Sequence, residues 1–119
     1  MCDIVHNKVD IAVVDASAEA HMLDLLIYRE SAKVKSNGKY KYTVAGRSCL
    51  AGDIFGSYNF KSKLKVGSII RFKDAGGYTM VKKNWFNGLN MPSVVVKRLN
   101  GSVDIVREFS YNDFEKSLS

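Results

Sequence analysis

The chain has 119 residues, 46% of them hydrophobic and 25% charged, a composition that fills one globular core and not two. No apolar run approaches the roughly 20 residues of a membrane span, and the start, Met1 to His6, lacks the basic-then-apolar order of a signal peptide. The net charge of +6 is spread over expected loops and edge strands (Lys33, Lys35, Lys39, Lys41; Lys61, Lys63, Lys65) and forms no single block, which argues against a nucleic-acid face.

Val9 to Val14 reads as a buried strand, and His21 to Tyr28 as an apolar segment whose type the pattern leaves open. Lys39 to Val44 alternates aromatic and charged residues, as a half-exposed strand does. Ile54 to Phe60, Ser68 to Lys73, Tyr78 to Lys82 and Ser93 to Leu99 continue a series of β-branched and aromatic runs broken by Gly, Asn and Ser. Pro92 sits where a new strand would begin. Asn100-Gly101 predicts a hairpin into Val103-Ile105, because both turn residues tolerate positive φ. Ser110 to Phe114 predicts the cap and start of one short helix. The sum is one mainly antiparallel β-sandwich or barrel with a few helical turns, spanning residues 1–119.

Three local patterns bear on chemistry. Gly46-Arg47-Ser48-Cys49-Leu50-Ala51-Gly52-Asp53 places a thiol in a small-residue loop that ends in a carboxylate. Such a cysteine is either a proton donor or nucleophile, or a buried structural thiol. Asp74-Ala75-Gly76-Gly77-Tyr78-Thr79-Met80 reads as a strand that turns through two glycines and resumes at a tyrosine; that is a phosphate contact or an ordinary turn beside a core tyrosine. Trp85-Phe86-Asn87-Gly88 either lines a pocket or plugs one end of the fold. Cys2 and Cys49 are distant and lack metal-ligand spacing, so no metal site is expected, and a reduced, cytoplasmic protein is the simplest reading.

In this order the three patterns resemble the C-terminal domain of the fold-type III pyridoxal-phosphate (PLP) decarboxylases, the group of ornithine, arginine and diaminopimelate decarboxylases. Cys-Leu-Ala-Gly-Asp at 49–53, Asp15-Ala16-Ser17-Ala18 before His21-Met22, Tyr-Thr-Met-Val-Lys at 78–82 and the opening Asp3-Ile4-Val5-His6-Asn7 are similar to the carboxynorspermidine/carboxyspermidine decarboxylase branch. The resemblance runs from about residue 3 to about residue 116.

The resemblance implies a two-domain enzyme. Members of the family pair an N-terminal β/α barrel, which holds PLP on a lysine, with a C-terminal β-domain. They act as head-to-tail homodimers with active sites at the subunit interface. Carried over from the family, Cys49 is the thiol that returns a proton to carbon after carbon dioxide leaves, and Tyr78 contacts the cofactor phosphate. By the same resemblance, Asp53 and Phe86 shape the pocket and interface, and Arg29, beside Tyr28, meets a substrate carboxylate or the other subunit. Relatives acting on simple diamino acids carry an acidic residue directly after the cysteine. Leu50 stands there instead, which points to a carboxy-polyamine substrate.

The sequence also departs from the family. Arg47 and Ser48 replace the usual Pro and Thr, Leu23 replaces Pro, and the stretch before Tyr28 is shortened. The 119 residues hold no sequence expected of the barrel, so the expected partner is an N-terminal barrel or a full-length homologue, and the chain alone is expected to be inactive. The alternatives are a non-catalytic remnant that associates with a full-length decarboxylase and, more distantly, a basic nucleic-acid-binding barrel.

Overall fold

The computed structural model describes residues 2–6 and 9–119. Asn7, the last residue of the matching opening stretch, lies outside them. Four strands form one open sheet in the order β1 (Cys2–His6), β2 (Val9–Val13), β3 (Tyr40–Ala45) and β4 (Ile54–Phe60). A separate two-stranded sheet pairs β5 (Val94–Lys97) with β6 (Val103–Arg107). The expected closed sandwich or barrel is therefore corrected to two open sheets.

The expected antiparallel character holds for β1/β2, β3/β4 and β5/β6, but β2 and β3 run parallel, with Asp10 opposite Tyr42 and Val13 opposite Ala45. A parallel pair needs a long crossover. The chain between them carries two short helices, α1 (Ala18–His21) and α2 (Asp24–Tyr28), the second within the segment whose type the pattern left open. Ser17 opens α1 from an extended backbone, its hydroxyl accepting from the Ala20 N–H at 3.1 Å. Such a cap satisfies one of the donors that the first turn leaves unpaired.

Period-2 alternation works in β3, where Tyr42 and Val44 are buried and Lys41 faces solvent. In β4 the alternation slips. Val44 pairs with Gly56 and Ala45 with Ile54, which leaves Phe55 as the extra residue of a bulge and buries it beside Gly56. Gly56 has φ +142°, and a side chain there would strike the Tyr58 hydroxyl. That hydroxyl lies 2.7 Å from the Ala32 carbonyl and 2.6 Å from that of Phe55, and burial pushes its pKa up to about 12, so it stays a donor. Phe55 stacks on Phe72 at 4.5 Å within the core of Val14, Ala18, Ala32, Val44, Phe55 and Tyr58.

Two expected strands are not strands. Ser68 to Lys73 alternates correctly, with Ile70 and Phe72 packed inward and Ile69 exposed, but among the described residues its one β-pairing is an isolated bridge, Lys33–Lys73, outside any strand. Tyr78 to Lys82 belongs to a helix, α3 (Gly76–Lys82). Its half-buried positions, Ala75, Thr79 and Lys82, follow helical spacing and not alternation. The predicted hairpin forms at Asn100-Gly101, and α4 (Tyr111–Ser117) begins at a capping box between Ser110 and Asp113. Among the described residues, no helix is long and apolar enough to cross a membrane.

Candidate active site

The Gly46–Asp53 loop joins β3 to β4 and is closed at its base by the Gly46 N–H donating to the Asp53 carbonyl at 2.7 Å. Asp53 is 3% exposed. One carboxylate oxygen accepts from the Ala18 N–H at 2.6 Å, and the other from the Ser48 N–H at 3.0 Å and from the Ser48 hydroxyl. A buried carboxylate is tolerable only with such partners. Burial alone would raise this carboxyl, but the Ser48 hydroxyl, the Ala18 and Ser48 N–H groups and the Ser17 hydroxyl outweigh it and hold it below its ordinary 3.8. Asp53 is thus the internal peg of the cysteine loop, tying it to the start of α1. The Arg47 N–H adds a second tie, to the Ala16 carbonyl at 3.1 Å.

The peg leaves the loop's outer end free. Cys49 is exposed, with Leu50 beside it at 39% exposure. The Cys49 N–H donates to the Asn87 side-chain oxygen at 3.0 Å. Asn87 lies in a 3-10 turn, Phe86–Gly88, with φ 57°. The turn is held from the other side, because the Asn84 N–H donates to the Ala20 carbonyl at 2.9 Å and the Phe86 N–H to the Asn84 side-chain oxygen at 2.8 Å. The cysteine loop, α1 and the Trp-Phe-Asn-Gly segment therefore meet at one place, where the Cys49 peptide is bonded to the neighbour of Phe86, Asn87. Trp85 turns the other way, onto Phe109 and Phe114.

His21 lies under this junction, 7% exposed, its Nδ1 accepting from the Ser17 N–H at 3.1 Å. Its Nε2 is buried near the Asn90 backbone and meets no partner at full hydrogen-bond geometry among the described residues. Burial is the main reason its pKa falls below 6.5, with Arg47 adding to it; the Asn90 backbone, Asp53 and Asp15 oppose without prevailing. The fold therefore favours the neutral ring relative to a free imidazole.

Tyr78 occupies a different place. It stands in the first turn of α3, 69% exposed, on a cleft of about 210 Å³ that it shares with Asp24, Ala32, Lys33, Asp74 and Lys82. The Lys82 ammonium lies 4.7 Å from the centre of the Tyr78 ring and 2.6 Å from the Asp24 carboxylate, a pairing that raises the lysine's pKa. Cys49 does not line this cleft, and among the described residues no hydrogen bond joins it to Tyr78. Arg29 caps the end of α2 in the left-handed region (φ 55°), exposed, with no ion pair among the described residues.

Sequence reasoning named Cys49, Tyr78, Asp53, Phe86 and Arg29 and passed over Ser17, His21, Ser48 and Asn87. The signal for Asn87 was present: Asn-Gly after two aromatics marks a left-handed turn. What spacing cannot show is that the asparagine side chain reaches a loop 38 residues away.

The family model described as pyridoxal-dependent decarboxylase, C-terminal sheet domain, matches residues 2–76. The chain is 57% identical over 118 residues to a carboxynorspermidine/carboxyspermidine decarboxylase of Herminiimonas arsenicoxydans, covering 98% of this chain and 32% of that one. It is 40% identical over 112 residues to a carboxyaminopropylagmatine decarboxylase of Synechocystis sp., covering 90% of this chain and 29% of that one. A crystal structure of carboxynorspermidine decarboxylase from Campylobacter jejuni, complexed with norspermidine, superposes with a TM-score of 0.88 at 34% identity, covering 97% of this chain and 36% of that one. The chain spans about a third of the length of the curated relatives it matches. With the sheet, the cysteine loop and the family match in agreement, this chain belongs to the pyridoxal-dependent decarboxylases, as their C-terminal sheet domain.

Proposed function

We propose that the chain acts as the C-terminal domain of a carboxynorspermidine/carboxyspermidine decarboxylase, contributing Cys49 and Tyr78 to a PLP site that a β/α barrel completes. One observation carries this reading: the cysteine loop ties its carboxylate and serine inward while presenting Cys49 and Leu50 at the surface. A loop built only to bury a thiol would do the reverse.

Pyridoxal 5'-phosphate supplies the electron sink for the pair released as carbon dioxide leaves. The exposed Tyr78 hydroxyl fits a phosphate oxygen as a donor, its ring steadied by Lys82. The lysine that holds the cofactor belongs to the barrel. Cys49 returns a proton to the substrate carbon, Phe86 walls the pocket beside it, and Asp53 holds the loop in place. Arg29 faces a substrate carboxylate or the second subunit of a homodimer. Leu50 gives the pocket an apolar wall where an acidic residue would pair with a terminal ammonium, which favours the longer carboxy-polyamine.

Mixing the chain with a PLP-binding barrel from a relative tests the reading. PLP-dependent release of carbon dioxide from carboxynorspermidine or carboxyspermidine is expected, with Cys49→Ala lowering kcat about 10²- to 10⁴-fold. Two folded, associated partners without activity would overturn it.

A further inference from the structure

We infer that Asn87 is the positioning residue of the cysteine loop: its side-chain carbonyl holds the Cys49 peptide and so sets the direction of the thiol relative to Phe86. The loop's other ties act on different residues. Asp53 holds Ser48 and Ala18, and the Ala16 carbonyl holds Arg47. Leu50 leans on the Ser48 hydroxyl at 3.3 Å. The peptide that carries the thiol has one acceptor among the described residues, the Asn87 oxygen at 3.0 Å.

The backbone of Asn87 is specialised for this contact. Its φ of 57° lies in the left-handed region, where asparagine is one of the few side chains tolerated. Gly88 follows at φ 63°, so two consecutive left-handed residues turn the chain tightly after Phe86. The turn is not loose, because the Gly88 N–H donates to the Trp85 carbonyl at 2.8 Å and Asn84 anchors the segment to α1. Alanine would be strained at this φ and glycine would fit it, but only asparagine or aspartate both fits and delivers an acceptor to Cys49. The same turn fixes Phe86, so the aromatic wall and the thiol are held by adjacent residues and move together.

That the thiol so placed acts on substrate rests on the function proposed above; that Asn87 places it does not. The test therefore reads Cys49 directly in the chain, through its amide hydrogen exchange and through alkylation resolved by peptide mass spectrometry, which separates it from Cys2. Asn87→Gly keeps the backbone conformation and removes the acceptor. Its Cys49 amide should exchange roughly five- to tenfold faster, while the Gly46 amide at the loop base keeps its protection. Asn87→Asp restores the acceptor and should return exchange to the wild-type rate. It should also slow alkylation at neutral pH, because a carboxylate beside Cys49 disfavours the thiolate, an effect that a purely structural role would not produce. A Gly variant within twofold of wild type in Cys49 exchange would overturn the inference. So would an Asp variant that alkylates at the wild-type rate, and that second variant decides the matter if the first does not fold. Neither measurement depends on decarboxylation, so failure of the reconstitution assay would leave this result standing.

Discussion

Gly46 has no room for a side chain because the Asp53 carboxylate occupies the place where a Cβ would lie. The two ends of the cysteine loop are thus packed backbone against carboxylate, with the Gly46 N–H to Asp53 carbonyl bond closing the ring. Replacing Asp53 with Ala leaves the Ala18 and Ser48 N–H groups without an acceptor. Equilibrium urea unfolding should show a loss of about 3 kcal/mol. Gly46→Ala should cost about 1–3 kcal/mol through overpacking. A shift under about 0.5 kcal/mol for Asp53→Ala, the range of an ordinary surface substitution, would mean that the carboxylate is not the peg.

Acid should weaken the fold in two steps of the same sign. The folded pKa of His21 lies below its unfolded 6.5, so the unfolded chain takes up the proton first. Stability is then full above about pH 6.5 and falls as the pH drops below it. Asp53, also depressed, contributes stability that is present above 3.8 and lost as the pH falls through its lower folded value. Urea midpoints measured from about pH 7 to about pH 5, across the ordinary histidine range, should decline for the wild type and stay level for His21→Gln. A level wild-type curve would contradict the neutral, buried imidazole.

Much of this site was legible in the sequence, and the reasons differ by residue. The Gly46–Asp53 loop alone fits a buried structural thiol as well as a reactive one, and it became legible only in order with the two later patterns. Ser48 reaches Asp53 with both its N–H and its hydroxyl, and of the side chain it is the hydroxyl, a group threonine also carries, that makes the contact. Tyr78 to Lys82 misleads, since Tyr, Thr and Val favour strands while Lys82 ties a helix to Asp24 of α2. Ser68 to Lys73 misleads differently. Its alternation is real, but among the described residues no strand pairs with it.

The proposed function makes Leu50 the position at which substrate choice is tested. In the enzyme assembled with a barrel, Leu50→Asp should lower kcat/KM for carboxynorspermidine about tenfold or more and raise activity on a diamino acid such as ornithine or lysine. Leu50 is 39% exposed, so stability should change by less than about 0.5 kcal/mol. Unchanged discrimination between the two substrate types would remove Leu50 as the determinant.

Tyr78 is exposed and its hydroxyl holds nothing among the described residues. Tyr78→Phe should therefore leave the melting temperature unchanged. In the assembled enzyme the apparent Kd for PLP, followed by cofactor absorbance, should rise about five- to tenfold, the worth of one hydrogen bond. Equal cofactor affinity in both proteins would place the phosphate elsewhere.

The parallel pairing of β2 with β3 also dictates an order of assembly. β3 and β4 are joined by the cysteine loop itself, so they can pair as a local hairpin and close the Gly46–Asp53 ring early. The Ala18 N–H, 35 residues from its Asp53 acceptor, arrives only when the long crossover has been threaded and its entropy lost. Refolding should then be limited by delivery of β2 and α1, with φ-values high across β3–β4 and near zero at Ser17. High φ-values at Ser17 would reverse that sequence. On that order the thiol loop is built twice, once as a turn and once as a site.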